Sequence, residues 1–418
     1  MRKLNIVILA AGLGKRMHSA LPKVLHRLAG KPLLEHVLDT ARALSPQNIC
    51  IVYGHGGDIV PQVIADETLT WVRQMPQLGT GHALMQALPY LGTEGATLVL
   101  YGDVPLISVN TLQGLVAMAG EVAGDGETGG GETLALLTVE LAEPSGYGRI
   151  VRNDSGGIIA IVEEKDASAS QQQIREVNTG IMLIPNQWLH GWLHKLENHN
   201  VQQEYYLTDV VAMAVKNGIS VKSAHPGHSW EVAGVNSKVQ LAELERIYQN
   251  ESAQRLLEQG ITLADPLRID IRGQLTCGRD VEIDIGCIFE GSVQLGDGVK
   301  VGAHSILKNT VVAAGSAIAP FSLIESAEIG ENCRVGPFAR IRPGTRLDNE
   351  VHIGNFVEVK NSAIAAGSKA NHLSYIGDAI VGTSVNIGAG TITCNYDGAN
   401  KHQTIIEDNV FVGSDTQL

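Results

Sequence analysis

The sequence predicts two architectures in one chain: a doubly wound, Rossmann-like α/β domain, then a connecting α-helix, then a left-handed parallel β-helix. Three observations carry this. Short apolar runs alternate with helical patterns up to about residue 230. One helical stretch follows them. Beyond it, aliphatic residues recur every six positions.

The apolar runs are "NIVILAAG", "NICIVYG", "ATLVLYGD" and "TLALLTVEL", rich in Val, Ile and Leu, and several end in Gly or Asp. Patterns such as "PLLEHVLDTARAL" lie between them. Continuous apolar strands alternating with helices mean a largely parallel sheet covered on both faces, with ligands at the carboxyl ends of the strands. The Gly/Glu-rich stretch at residues 120–133 reads as a surface loop without assigned function. This region is expected to span residues 1–230.

Residues 231–262 are expected to link it to the repeat. Leu241, Leu244, Tyr248 and Leu256 mark one helical face there, and Gly260 is a stop signal. The repeat is assigned to residues 263–418. Its units open at Leu295, Val301, Leu307, Val312, Ile318, Ile324, Ile329, Val335, Ile341, Leu347, Ile353, Val359 and Ile364. They resume at Ile376, Val381 and Ile387, and again at Ile406 and Val412 after "TCNYDGANKHQTI", which reads as a projecting loop. Every third unit tends to be one residue short, so a three-sided coil takes 17 or 18 residues. A unit this small cannot bury its own apolar face, so the coils must stack.

Composition narrows the function. The 418 residues are 44% hydrophobic but only 4% aromatic, with 47 glycines, as expected of many tight turns packed by aliphatic side chains. A formal net charge of −13 argues against nucleic-acid and acidic-membrane binding. No apolar run reaches the ~18 residues of a membrane span, and "MRKLNIVILAAG" enters a folded pattern directly rather than resembling a signal peptide. Cys50, Cys277, Cys287, Cys333 and Cys394 form no CxxC pair. They read as reduced thiols of a cytoplasmic protein.

Against that charge, residues 1–34 hold seven cations (Arg2, Lys3, Lys15, Arg16, Lys23, Arg27, Lys31) and no acid. Gly12 and Gly14 would let backbone N–H groups approach phosphates, with Lys15, Arg16 and Lys23 neutralising them. Asp103 closes the run "LVLYGD". An acid at a strand's carboxyl end, facing a phosphate loop, suits Mg²⁺.

In the repeat, Arg342 and Lys360 each stand second in the third unit of successive coils. Stacked about 4.8 Å apart, the cations would repel unless an anion sat between them. Glu358 and Tyr375 share a place on the second side, and His372 lies in the coil of Tyr375. Ala370 stands where the beat calls for a larger aliphatic residue. The expectation is that it gives room to a substrate beside an outward, reactive His372, oriented by Glu358.

These residues carry a family resemblance. "GLGKRM" followed by "LPK" resembles the G-x-G-T-R-M … P-K pattern of the sugar-nucleotide pyrophosphorylases, with Lys15 in place of Thr. "QLGTGHA", "YGDVPL", "GYGRI", "IVEEKD", "EVNTG" and "GVN" follow in order. With the repeat behind them, essentially the whole chain resembles the bacterial bifunctional N-acetylglucosamine-1-phosphate uridyltransferase/glucosamine-1-phosphate acetyltransferase family.

The resemblance implies synthesis of UDP-N-acetylglucosamine, which feeds peptidoglycan and lipopolysaccharide synthesis. It implies that Leu9, Ala10, Ala11, Gly12 and Gln74 contact the uracil end of UTP, and that Gly79, Thr80, Tyr101 and Gly102 help seat the nucleotide. Arg16 and Lys23 would bind phosphates, and Asp103 with Asn236 would hold Mg²⁺. Gly148, Glu163 and Asn178 would bind N-acetylglucosamine-1-phosphate. In the repeat, His372 would be the general base. Arg342, Lys360, Tyr375 and Asn386 would bind glucosamine-1-phosphate, and Ala389, Asn395, Tyr396 and Ser414 would lie near acetyl-CoA. A homotrimer is implied as well. Members of the family continue through further coils and a tail, so the chain, ending in the second unit of a coil, is expected to be shortened and to acetylate weakly. The rivals are a single-activity sugar-1-phosphate nucleotidyltransferase with a regulatory β-helix, and a non-catalytic nucleotide-sensing scaffold.

Overall fold

A computed structural model describes residues 3–12, 14–54, 56–118 and 133–418; the Gly/Glu-rich loop lies outside these, save Thr133. The chain divides into two compact units, Met1–Leu244 and Glu245–Leu418.

The first unit is built on a twisted sheet whose central path runs Ser220–Ala224, Thr133–Glu140, Glu176–Pro185, Ala96–Tyr101, Leu4–Ala10, Asn48–Tyr53, Thr70–Arg73. The four apolar runs read from sequence are all strands of it. Leu4–Ala10 pairs in parallel with Asn48–Tyr53 on one side and Ala96–Tyr101 on the other. The sheet is mixed rather than purely parallel, because Glu176–Pro185 runs antiparallel to both neighbours. A hairpin, Arg149–Arg152 with Ile158–Val162, attaches to that strand at Val177. Ile6 and Ile8 enter the apolar cluster on one face of the sheet, Val7 and Leu9 the cluster on the other. Burial on both faces explains why these strands read as unbroken apolar runs. Strand order reverses beside Leu4–Ala10, where the next strand lies to one side and Ala96–Tyr101 to the other, and such a switch point opens a crevice.

The second unit is a parallel β-helix. One stack of strands runs from Thr262–Leu263 to Phe411–Val412. Within it Val301, Ile318, Val335, Ile353, Ala370, Ile387 and Val412 lie in register. Two further columns contain Leu307–Ile324–Ile341–Val359–Ile376 and Val312–Ile329–Leu347–Ile364–Val381–Ile406. All of these side chains are buried in one continuous core. Ala370 is 1% exposed and sits between Ile353 and Ile387. It keeps the beat and points inward, so it opens no space for a substrate, contrary to the sequence expectation.

The helix read around Leu244 and Leu256 spans Lys238–Glu258, and the left-handed Gly260 (φ +88°) follows its end. Gln249 is 1% exposed. Its Oε1 accepts from the Ile271 N–H at 2.7 Å and its Nε2 donates to the Ile271 carbonyl at 2.9 Å. Strand Ile269–Cys277 pairs with Cys287–Leu295 alone, so the Gln249 amide fills in for a missing strand at that open edge. At one corner of successive coils, His304, Phe321, Phe338 and Phe356 stack at centroid spacings of 5.1–5.3 Å, close to the strand spacing. The three phenylalanines are exposed, as is Leu373 at the same corner one coil further. Among the described residues no helix is long and apolar enough to cross a membrane. All five cysteines are free, and burial pushes the Cys50 thiol up to about 12, which leaves it unreactive.

Candidate functional site

A cavity of about 390 Å³ opens at the switch point of the first unit. Leu9–Gly12, Lys23, Gln74, Gly79, Thr80, Tyr101 and Asp103 line it, all of them expected from sequence. Most arrive from the carboxyl end of a strand or the turn beyond, while Lys23 opens the short helical turn Lys23–Leu25 and Thr80 the helix Thr80–Ala87. Leu9–Gly12 end and follow the strand Leu4–Ala10, Gln74 follows Thr70–Arg73, and Asp103 follows Ala96–Tyr101. Gly102 lies beneath rather than in the cavity. Its N–H donates to the Leu9 carbonyl at 3.0 Å, and a Cβ there would press on Val24 and Ala10 at 3.2 and 3.3 Å.

Lys23 is the electrostatic centre. Its ammonium is paired with Asp103 Oδ2 and donates to Asn236 Oδ1 at 3.0 Å, with the Lys23 and Asp103 side chains only 12% and 15% exposed. Two backbone-fixed contacts hold this group. The Val235 N–H donates to the Asp103 carbonyl at 2.8 Å, and the Asn236 N–H to Gln240 Oε1 at 2.8 Å. Gly14 (φ +58°) lets the preceding loop pass Lys23, where a Cβ would meet the Lys23 Cβ at 3.0 Å. Arg16 does not join the group. It is exposed on the turn Lys15–Met17, without a hydrogen bond or ion pair among the described residues.

Asp103 and Asn236 thus aim two hard oxygens at one point where a cation already sits. That fits Mg²⁺, which takes few protein oxygens and completes its shell with phosphates and water. Among the described residues there is no cluster of three or more His, Cys, Asp or Glu suited to a metal.

Gly148, Glu163 and Asn178 gather beside Tyr101. The Asn178 N–H donates to the Gly148 carbonyl at 2.9 Å, and a Cβ at Gly148 would meet the Glu163 carboxylate at 3.4 Å. Glu163 accepts from Thr208 Oγ1 at 3.0 Å, and burial raises its pKa. Burial pushes the Tyr101 phenol upward, and the nearby Glu163 and Asp103 carboxylates push it the same way.

Sequence reading missed Gln77, Glu204 and Ala83 in the cavity wall. Gln77 Nε2 donates to the Ala11 carbonyl at 2.8 Å and so fixes the loop that meets the ligand. Its position three residues after Gln74, in the same turn, was the available signal.

In the second unit the register expected from the repeat is present. Glu358 pairs with Tyr375, and Val359 with Ile341, which sets Lys360 beside Arg342. Each cation already has its own acid: Arg342 Nη1 donates to Glu358 Oε1 at 2.8 Å, and Lys360 Nζ to Asp378 Oδ2 at 3.2 Å. The stacked cations therefore do not need an outside anion to coexist, as sequence reasoning supposed.

Asp378 is the node that reasoning missed. It accepts from Asn361 Nδ2 at 2.6 Å, from Asn395 Nδ2 and from Lys360. The Asn361 hydrogen bond, then those from Asn395 and Lys360, pull its pKa down to about 2. Asn395 also reaches the Tyr375 hydroxyl at 3.4 Å, which ties the base of the inserted loop to this cluster. Repeat counting could have found Asp378, which stands 17 residues after Asn361.

His372 is exposed and flanks the left-handed corner residue Leu373, with Tyr375 on the other side. Its Nδ1 lies 3.0 Å from Asn355 Oδ1, its register partner. Glu358 does not orient it, because that carboxylate is engaged by Arg342. Asn386 pairs with Lys369 and Phe411 in the same stack. The Ala389 carbonyl accepts from the Asp415 N–H at 2.8 Å, Ser414 is exposed beside it, and the exposed Tyr396 donates to the Gly398 carbonyl at 2.7 Å. These four have no hydrogen bond to His372.

Residues 6–151 match the MobA-like NTP transferase domain, and residues 271–352 match the GMPPB C-terminal domain. Among curated proteins, "Bifunctional protein GlmU" of Nitrosospira multiformis is 74% identical over 100% of this chain and 89% of its own length. Proteins of the same name from Herminiimonas arsenicoxydans and Nitrosomonas europaea are 62% and 61% identical, over 99% and 100% of this chain and 89% and 90% of their own. With a nucleotide-sized cavity at the switch point of one unit and a β-helix for the other, the chain belongs to the family of bifunctional GlmU proteins.

Proposed function

We propose that the chain makes UDP-N-acetylglucosamine by two transfers, one in each unit. In the second unit the amine of glucosamine-1-phosphate attacks the thioester carbon of acetyl-CoA, the C–S bond breaks, and CoA leaves as its thiol. His372 takes the amine proton. With Nδ1–H donated to Asn355, the imidazole keeps a lone pair on Nε2 for that proton. Arg342 and Lys360 bind the sugar phosphate, and the phosphate has to compete with Glu358 and Asp378 for them. Tyr375, Asn386, Ala389, Asn395, Tyr396 and Ser414 complete the acceptor and acetyl-CoA sites.

In the first unit a phosphate oxygen of N-acetylglucosamine-1-phosphate attacks the α-phosphorus of UTP, and pyrophosphate leaves. Leu9–Gly12, Gln74, Gly79 and Thr80 seat the nucleotide; Gly148, Glu163 and Asn178 seat the sugar. Asp103 and Asn236 would hold Mg²⁺, which supplies charge neutralisation on the phosphates. Lys23 then turns its ammonium toward them, and Arg16 its guanidinium from the exposed turn. The observation that carries this reading is the Lys23–Asp103–Asn236 group, whose Lys23 and Asp103 line the cavity.

Association into a homotrimer, with acceptor sites at subunit contacts, is part of this proposal. The exposed line of Phe321, Phe338, Phe356 and Leu373 supports it. Cytoplasmic location is proposed from the free cysteines. Two assays on one preparation test the function: pyrophosphate release from UTP with N-acetylglucosamine-1-phosphate, and CoA release from acetyl-CoA with glucosamine-1-phosphate. Both should be positive. Pyrophosphate release alone would favour a single-activity nucleotidyltransferase, and neither would favour a scaffold.

A further inference from the structure

The Gln74 amide stands at the cavity wall with its two ends fixed differently. Nε2 donates to the Gly79 carbonyl at 3.0 Å. A carbonyl can only accept, so this contact settles which end of the amide is nitrogen. The same Nε2 lies 3.1 Å from His82 Nδ1. An NH₂ group has two hydrogens, and these two contacts use both. His82 Nδ1 must then be the unprotonated ring nitrogen, with the ring proton on Nε2.

The surroundings favour a neutral ring. His82 Nε2 faces the Gln86 amide at 3.2 Å. The atom facing it is Gln86 Nε2, which also donates to the His82 carbonyl at 3.3 Å, so a proton on His82 Nε2 requires the Gln86 amide to turn over and give up that contact. Burial lowers the His82 pKa, which favours the neutral form, and no charged residue contributes to that shift. Gln74 itself is 4% exposed, and its backbone N–H is held by the Tyr53 carbonyl at 2.8 Å.

With its nitrogen spent on Gly79 and His82, Gln74 has only Oε1 left, and that atom has no hydrogen-bond partner among the described residues. The cavity is therefore offered an acceptor and no donor by this side chain. Uracil carries a donor at N3–H, whereas cytosine carries an acceptor at N3. We propose that His82 is a positioning residue that sets pyrimidine selectivity, by holding the Gln74 amide with its oxygen toward the base. The inference rests on the nucleotide reading of this cavity given above, and adds to it the residue that fixes the direction of the amide.

The test compares kcat/KM for UTP and CTP, with N-acetylglucosamine-1-phosphate as acceptor, in the full chain. Unaltered protein should prefer UTP strongly. In His82→Leu the amide keeps only Gly79, and the UTP:CTP ratio should fall about tenfold, the worth of roughly one hydrogen bond. His82→Gln, which can return an acceptor oxygen to the same place, should recover part of that ratio. A purely structural role for His82 would lower both substrates together and leave the ratio unchanged. An unchanged ratio in both variants would overturn the role of His82 alone. Equal use of UTP and CTP by the unaltered protein would instead remove the nucleotide reading, and this inference with it. Should His82→Leu fail to fold, ¹⁵N shifts of the histidine rings in the unaltered protein decide the matter. An unprotonated His82 Nδ1 supports the assignment, and a protonated Nδ1 overturns it.

Discussion

Replacing Gln249 by Ala would uncover two backbone groups at once. The Ile271 N–H and carbonyl, in a residue only 6% exposed, lose their partners at 2.7 and 2.9 Å. Each buried group left unsatisfied costs about 1–3 kcal/mol. Some water entry into the vacated space lowers the sum, which gives about 2–4 kcal/mol for the pair. A chain of two compact units need not unfold in one step, so a global melting point would blur the effect. Hydrogen exchange at the Ile271 amide reads it locally. That amide should exchange roughly 30- to 700-fold faster in Gln249→Ala. Gln249→Glu should be worse at neutral pH, because a carboxylate would face both the Ile271 carbonyl and Glu245. The introduced carboxyl would have a raised pKa in the folded state, so this variant should regain stability as pH falls through that value. Exchange at Ile271 within threefold of the unaltered chain in Gln249→Ala would show that the helix is not closing this edge, and the reasoning would be wrong.

Asp103→Asn should abolish most pyrophosphate release and leave acetyl transfer intact, and near-normal release at limiting Mg²⁺ would contradict the assignment. His372→Ala should lower acetyl transfer by roughly 10²–10⁴-fold with uridylyl transfer unchanged; equal loss of both would point to misfolding or a misplaced site. Asp378 titrates at about 2, below its unfolded value, so its contribution is present above the ordinary carboxylate range and is lost as pH falls through about 2. Asp378→Asn should therefore flatten the acid limb of β-helix unfolding between pH 4 and pH 2, as followed by circular dichroism. An unaltered limb would remove Asp378 from the network.

How much of this was legible in the sequence depended on whether a signal was periodic. Buried strands such as "NIVILA" and the aliphatic beat from Leu295 to Val412 are repetitive, and each appears in the structure at its expected place. The cavity residues were legible through short motifs, because a glycine turn and an acid at a strand end have few other uses. Contacts set by three-dimensional neighbours were not. The sequence reading gives Glu358 the task of orienting His372, but the side chain opposite His372 is the neutral Asn355. Ala370 looked like a gap because a small residue breaks an aliphatic pattern, yet between Ile353 and Ile387 it is core. The antiparallel direction of Glu176–Pro185 has no local signature, since an apolar strand reads the same either way.

The coil length has a consequence for how such a chain can vary. Neighbouring aliphatic residues of one column lie 17 or 18 positions apart, as from Ile318 to Val335 and from Val335 to Ile353. The one-residue difference is taken up in the turns between strands, as between Leu323–Glu325 and Glu328–Ile329 against Arg340–Ile341 and Arg346–Leu347. A deletion within a straight side has no such outlet, because a shift of one residue turns every later inward side chain to solvent. Length can therefore change cheaply in only two ways: by a whole coil, or by an excursion that leaves and re-enters at a corner. The second has happened once here, between Ile387 and Val412, which are 25 positions apart yet still in register. That excursion carries Asn395 and Tyr396, so a corner where the lattice has taken added chain is also where new contacts to a ligand could be introduced without disturbing the core.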